Sequence, residues 1–79
     1  MNFEILTQDD INLLMELGKK TLNTTGWKPQ EMGEAYRLVN KIYNRNLTDS
    51  GCSSCRRSTL DALRTAYEEL NKKMMERNV

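Results

Sequence analysis

Two cysteines separated by two residues form the most chemically distinctive stretch of the chain, SGCSSCRR at residues 50–57. Cys52 and Cys55 lie among serines and are followed by Arg56 and Arg57. A CxxC pair can exchange disulfides, and a thiol at the start of a helix is more reactive because backbone amides and nearby arginines stabilise its anion. One interpretation of the stretch is therefore a redox pair.

Two other interpretations of the cysteines remain open. A structural zinc site needs four ligands, and this chain has two cysteines and no histidine, so such a site could form only between two copies. On a helical projection Cys52 aligns with Leu63 and Leu70, and Cys55 aligns with Ala62, so both can be small packing residues. The sequence favours this last interpretation, with reduced, buried thiols, and predicts no metal and no cofactor.

Arg56 and Arg57 are candidate residues for an anion site. Arg56 projects onto the same side of the helix as Leu63 and Tyr67, where a charge needs a carboxylate, a carbonyl oxygen or a ligand phosphate. Serine hydroxyls and the start of a helix nearby would suit an anion bound by Arg56 and Arg57. The simpler alternative is an arginine at a helix end that reaches water.

Three amphipathic segments must position these residues. Thr7 is the expected N-cap of a helix over 8–22, with Asp9 and Asp10 in its first turn. Pro29 is suited to the first turn of a second helix, over 29–45, and apolar residues at steps of three and four predict a third over 53–76. We therefore expect one all-α domain over residues 1–79, a three-helix fold with a long C-terminal helix.

Length and charge narrow the possible functions. A chain of 79 residues with 38% apolar residues can fold as one small domain of marginal stability. The first residues contain neither a signal peptide nor a membrane span, which predicts a cytoplasmic protein without a membrane partner. The net charge of +1 combines an acidic start with a basic middle. That asymmetry suits pairing between copies, or with an oppositely charged partner.

Some apolar residues have no evident place in a three-helix core. Leu13 and Leu17 project away from the main apolar stripe of the first helix, and Phe3 and Leu6 lie just upstream. Either the N-terminal segment folds back over the two leucines, or these four residues form an interface with a second copy or a protein partner. Met75, beside Met74 near the C-terminus, favours an interface.

Basic residues recur at every fourth position of the second predicted helix. We call Arg37, Lys41 and Arg45 the basic stripe. It could guide a protein partner electrostatically, follow a nucleic-acid backbone, or be the solvated face of an amphipathic helix. The connectors are too long for a helix-turn-helix reader, which argues against sequence-specific DNA binding.

One resemblance adds context. A tyrosine and an asparagine late in a helix (KIYNRN), a short polar link, a CxxC with a basic flank (GCSSCRR) and a long final helix resemble small helical proteins encoded by tailed bacteriophages. The resemblance covers residues 36–70. It implies a phage accessory protein, present in the host cytoplasm, that binds host machinery or acts within the virion.

Catalysis has little support in the sequence. The chain has no histidine, no glycine-rich phosphate loop and no evident set of converging acids. We therefore predict a non-enzymatic protein-binding module that contacts a partner or self-associates through Phe3, Leu6, Leu13 and Leu17, guided by the basic stripe. The alternative is an anion-binding or nucleic-acid-binding protein that uses Arg56, Arg57 and the basic stripe.

Overall fold

The computed structural model describes residues 2–23 and 26–77 and places three helices in them: α1 (Gln8–Asn23), α2 (Pro29–Tyr43) and α3 (Ser53–Arg77). The predicted all-α fold, with the longest helix last, is confirmed. The predicted bounds agree with the observed ones to within two residues at each end, the usual uncertainty of helix termini. Thr24 and Thr25, in the predicted break after α1, lie outside the described residues.

No helix in the described part of the chain combines the length and the apolar character needed to cross a bilayer.

The start of α1 is closed by a reciprocal cap, in which Thr7 is the N-cap that the sequence predicts and Asp10 completes the pair. The Asp10 backbone N–H donates to Thr7 Oγ1 at 3.1 Å, and the Thr7 N–H donates to Asp10 Oδ2 at 3.2 Å. Two amides that have no partner within the helix are satisfied in this way. The cap also orients the Asp10 carboxylate, which has further partners on α2.

The end of α2 comes two residues earlier than predicted, because Asn44 turns the chain. Asn44 is left-handed, with φ 54°, and its N–H donates to the Asn40 carbonyl. The Asn40 side chain then accepts from the Leu47 N–H at 2.9 Å and donates to the Leu47 carbonyl at 2.8 Å. These bonds lay the connector 44–52 back along α2.

Ion pairs and close contacts define the directions of the helices. Asp10 meets Lys41, and Lys20 meets Glu31 at 2.6 Å, so α1 and α2 are antiparallel. The start of α1 packs near the end of α3, because Ile11 lines a groove together with Leu70 and Met74. Further along the two helices, Gly18 of α1 lies against Tyr67 of α3. Because α1 is antiparallel to both other helices, α2 and α3 run in the same direction.

All three helices and the N-terminal segment contribute to one apolar core. Leu38 is fully buried, because α1 and α3 cover two sides of α2. Leu22, near the end of α1, is 45% exposed. The buried cluster comprises Leu6, Leu14, Leu17, Ala35, Leu38, Val39, Ile42, Leu63, Ala66, Tyr67 and Leu70.

Gly18 allows α1 and α3 to approach closely. A Cβ atom at this position would overlap the Cβ and ring atoms of Tyr67. By contrast, Gly33 on the exposed face of α2 has open space where its Cβ would be. A side chain is therefore excluded by Tyr67 at Gly18, whereas there is room for one at Gly33.

A buried carboxylate links α1 to α2. Asp10 is 4% exposed, and its two oxygens accept from Arg37 Nη1 and Lys41 Nζ, each at 2.8 Å. The hydrogen bond from Lys41, followed by that from Arg37, holds the pKa of the Asp10 carboxyl well below its usual range, against the opposing effect of burial. The charge is thus retained in the folded state, with both cations partly hydrated.

The Gly18→Ala variant is expected to lower the free energy of unfolding by about 1 to 3 kcal/mol, because overpacking against Tyr67 outweighs the gain in helix propensity. The matched variant Gly33→Ala should raise it by about 0.5 to 1 kcal/mol. Urea unfolding followed by circular dichroism measures both. Equal effects of the two substitutions would contradict the close approach of α1 and α3.

The Asp10→Asn variant is expected to lose about 1 to 3 kcal/mol of stability at neutral pH, because Arg37 and Lys41 lose a charged acceptor. Since the folded pKa is lowered, the contribution of Asp10 is complete above about pH 5 and declines as pH falls below about 4. The stability gap between wild type and variant should therefore close in acid.

Asp9→Asn is the matched control, because it removes an exposed charge from the same helical turn. It should change stability by less than about 0.5 kcal/mol. A gap between wild type and Asp10→Asn that stays constant from pH 6 to pH 2 would show that the Asp10 charge does not stabilise the fold.

Candidate functional site

The contact surface predicted from Phe3, Leu6, Leu13 and Leu17 is largely covered, because the N-terminal segment folds back. The Asn2 N–H donates to the Ile42 carbonyl at 2.9 Å, which holds this segment against the end of α2. Leu6 and Leu17 are 9% and 3% exposed and belong to the core. Phe3 and Leu13 are half-buried against that core. Of the two alternatives that the sequence left open, the structure therefore shows the first, in which the N-terminal segment folds back over the core.

Apolar surface is exposed instead at the end of α3. Met74 is 43% exposed and Met75 is 65% exposed. Beside them lies an open groove of about 270 Å³, lined by Phe3, Glu4, Ile11, Leu70, Lys73 and Met74. Ile5 of the N-terminal segment is 49% exposed. Of the predicted contact residues, only Phe3 lines this groove.

The groove carries one charge of each sign. Glu4 and Lys73 both line it, and Lys73 Nζ lies 5.1 Å from the centroid of the Phe3 ring, within the range of a cation–π interaction. We call Glu4, Lys73, Met74 and Met75, together with the groove, the α3 end surface.

The basic stripe is mostly neutralised within the fold. Arg37 pairs with Asp10 and with Glu34, at 2.8 Å each, and Lys41 pairs with Asp10. Arg45 lies beyond the end of α2, with its guanidinium 5.6 Å from the centroid of the Tyr43 ring. Only Arg45 of the three forms no ion pair in the described part of the chain.

Arg56 and Arg57 do not converge on one anion. Arg56 binds the Asp49 carboxylate through two bonds of 2.8 and 3.0 Å, which raises the pKa of Arg56 and lowers that of Asp49. A carboxylate was among the partners considered for Arg56 from the sequence. Arg57 lines a separate cavity that includes Trp27 and Arg64. In the described part of the chain the two arginines therefore have different surroundings.

Cys52 and Cys55 are placed as a disulfide pair at the start of α3, and the expectation that both cysteines are buried packing residues is wrong. The local reason is the first helical turn, which brings their Cα atoms to 5.2 Å, within the range that a disulfide spans. Cys52 is half-buried and Cys55 is exposed. Neither cysteine belongs to the apolar core.

The two sulfur atoms have different surroundings. Cys52 Sγ accepts from the Cys55 backbone N–H at 3.2 Å and lies 3.3 Å from Ser54 Oγ. Cys52 therefore caps the first turn of α3, which begins with the Arg56 N–H donating to the Cys52 carbonyl at 3.0 Å. Cys55 instead lines a cavity between the connector and α3.

That cavity has a volume of about 300 Å³ and a mixed lining. Arg45 contributes a cation, and Thr48 and Ser58 contribute hydroxyls. Tyr36 also lines it, and the buried hydroxyl of this residue has no hydrogen-bond partner in the described part of the chain. The complete lining is Tyr36, Arg45, Leu47, Thr48, Cys55, Ser58, Thr59 and Ala62. We call this the Cys55 cavity.

Sequence reasoning missed the Cys55 cavity, because its lining comes from α2, the connector and α3. Leu47 and Thr48 reach Tyr36 only because Asn40 folds the connector back. No sequence pattern marks that fold. Among the described residues, no three histidine, cysteine or acidic side chains are grouped as metal ligands would be.

Comparisons with protein-family models, with curated proteins and with solved structures find no match to this chain.

Proposed function

We propose that the protein is a non-enzymatic contact module that self-associates through the α3 end surface. The observation that carries this proposal is the exposure of Met74 and Met75 beside an open apolar groove. Methionine adapts its shape to irregular surfaces, and burial of one such side chain contributes about 1.5 to 3 kcal/mol before the costs of association. In this proposal the α3 end surface takes the place of the surface predicted from Phe3, Leu6, Leu13 and Leu17.

Charge supports a second copy as the occupant of the groove. Glu4 and Lys73 give the groove an acid and a base. A two-fold axis makes every contact occur twice, so Glu4 of each copy can face Lys73 of the other. Met75, just outside the groove, would then enter the groove of the second copy. A partner uniformly basic or uniformly acidic would meet one like charge at this surface.

Nucleic-acid binding is less well supported than self-association. Two members of the basic stripe already have carboxylate partners, and Arg56 has Asp49. Binding a phosphate backbone would have to compete with those ion pairs. In the phage context that the resemblance implies, the dimer would present two copies of its remaining surface to a host protein or a virion component.

The first test is the mass of the protein as a function of concentration. Light scattering and native mass spectrometry should show a dimer in exchange with a monomer, and Met75→Asp should weaken the dimer at least tenfold, because each interface loses two apolar side chains. Leu22→Asp is the matched control, since Leu22 is 45% exposed near the opposite end of α1. It should leave the dimer unchanged.

The second test uses charge reversal. Glu4→Lys and Lys73→Glu should each be monomeric alone, because like charges then face each other twice, and an equimolar mixture should form a heterodimer. Recovery in the mixture also shows that both variants are folded. A wild-type protein that stays monomeric up to about 1 mM, where even an interaction of about 4 kcal/mol would be half formed, would contradict self-association.

A further inference from the structure

The disulfide has one sulfur that faces solvent and one that is held by the helix. Cys55 is exposed and lines the Cys55 cavity, whereas Cys52 is half-buried and has two polar neighbours at its sulfur. A thiolate entering from solvent through this cavity therefore meets Cys55. The bond it breaks would leave the negative charge on Cys52.

Cys52 is well placed to leave as a thiolate. Its sulfur already accepts the Cys55 backbone N–H and lies close to the Ser54 hydroxyl. The positive end of α3 adds to this stabilisation, because the first amides of a helix lack partners within it. A better stabilised leaving thiolate makes disulfide exchange faster.

The rest of the cavity indicates which thiols fit. Arg45 lines the cavity and forms no ion pair in the described part of the chain. Guanidinium groups bind carboxylates with paired, charge-assisted hydrogen bonds. The hydroxyls of Thr48 and Ser58 can bind further polar atoms, and the buried Tyr36 hydroxyl has no partner among the described residues. The cavity has room for a small molecule that has both a thiol and a carboxylate.

We propose that the Cys55 cavity binds low-molecular-weight thiols bearing a carboxylate and that these exchange with the disulfide at Cys55. The entering thiolate forms a bond to Cys55 Sγ while the Cys52–Cys55 bond breaks and its electron pair goes to Cys52. A second thiolate attacks the mixed disulfide, releases the oxidised small molecule as its disulfide and leaves Cys55 as a thiolate. The protein is reduced by two electrons, and two thiols become one disulfide.

This exchange is independent of the proposed self-association. The Cys55 cavity lies at the start of α3, and the α3 end surface lies at the other end of the same helix. Failure of the thiol experiment would leave the dimer untouched, and a monomeric protein could still exchange its disulfide.

The experiment compares three small thiols as reductants of the oxidised protein: 3-mercaptopropionate, 2-mercaptoethanol and cysteamine. Alkylation at timed intervals followed by mass spectrometry gives rate constants, which are expressed per thiolate. The carboxylate thiol should react about fivefold faster than the neutral one at low ionic strength, and the cationic thiol should be the slowest. The differences between the three rate constants should become smaller at high salt, because salt screens the charge of Arg45.

Two arginine variants distinguish an effect of the cavity on the rates from an effect of the net charge of the protein. Arg45→Gln should abolish the advantage of 3-mercaptopropionate over 2-mercaptoethanol. Arg57→Gln, which removes the same charge from a residue in a different cavity, should preserve it. Equal rates for the three thiols, or equal effects of the two variants, would overturn the assignment of Arg45.

The attacked sulfur is identified by trapping. In Cys52→Ser, the disulfide of 3-mercaptopropionate should form a stable adduct on Cys55, and its rate constant per thiolate should exceed that for the corresponding adduct on Cys52 in Cys55→Ser. Peptide mass mapping locates the modification, and circular dichroism checks that both variants are folded. Faster modification of Cys52 would reverse the proposed direction of attack and overturn the proposal.

Discussion

One buried carboxylate organises the contacts between α1 and α2. Asp10 caps the first turn of its own helix and binds two cations of the neighbouring one. A buried carboxylate without partners would be strongly destabilising, so the register of α1 against α2 is restricted to positions where Arg37 and Lys41 reach it. The rest of the core packs around that register, including the close approach of Gly18 to Tyr67.

The ion pairs with Asp10 give two residues of the basic stripe a structural role. An i, i+4 series of cations on a surface helix is typical of a solvated face or of a phosphate-binding face. Here the first two cations are bound by Asp10 on the adjacent helix, and only Arg45 remains without a carboxylate in the described residues. The charges of Arg37 and Lys41 thus stabilise the fold. The two surfaces for which we propose functions lie at the two ends of α3.

Those two ends differ in kind. At the start of α3, a disulfide, a cation and hydroxyls line a cavity formed with the connector. At the far end, exposed methionines flank an apolar groove with one charge of each sign. The first is suited to a small polar molecule, and the second is suited to another protein surface. Because the Cys55 cavity and the α3 end surface lie at opposite ends of one long helix, a substitution at one of them can leave the other unchanged.

The sequence by itself determined the three helices, the cap at Thr7, the helix start at Pro29 and most of the core, because these depend on local hydrogen bonds and on apolar spacing. Only the tertiary structure decided which leucines are buried, since the N-terminal segment folds back over the core. It also decided the partners of Arg37, Lys41 and Arg56 and the lining of the Cys55 cavity. Those contacts join residues 7 to 31 positions apart, and no local spacing rule specifies such pairs.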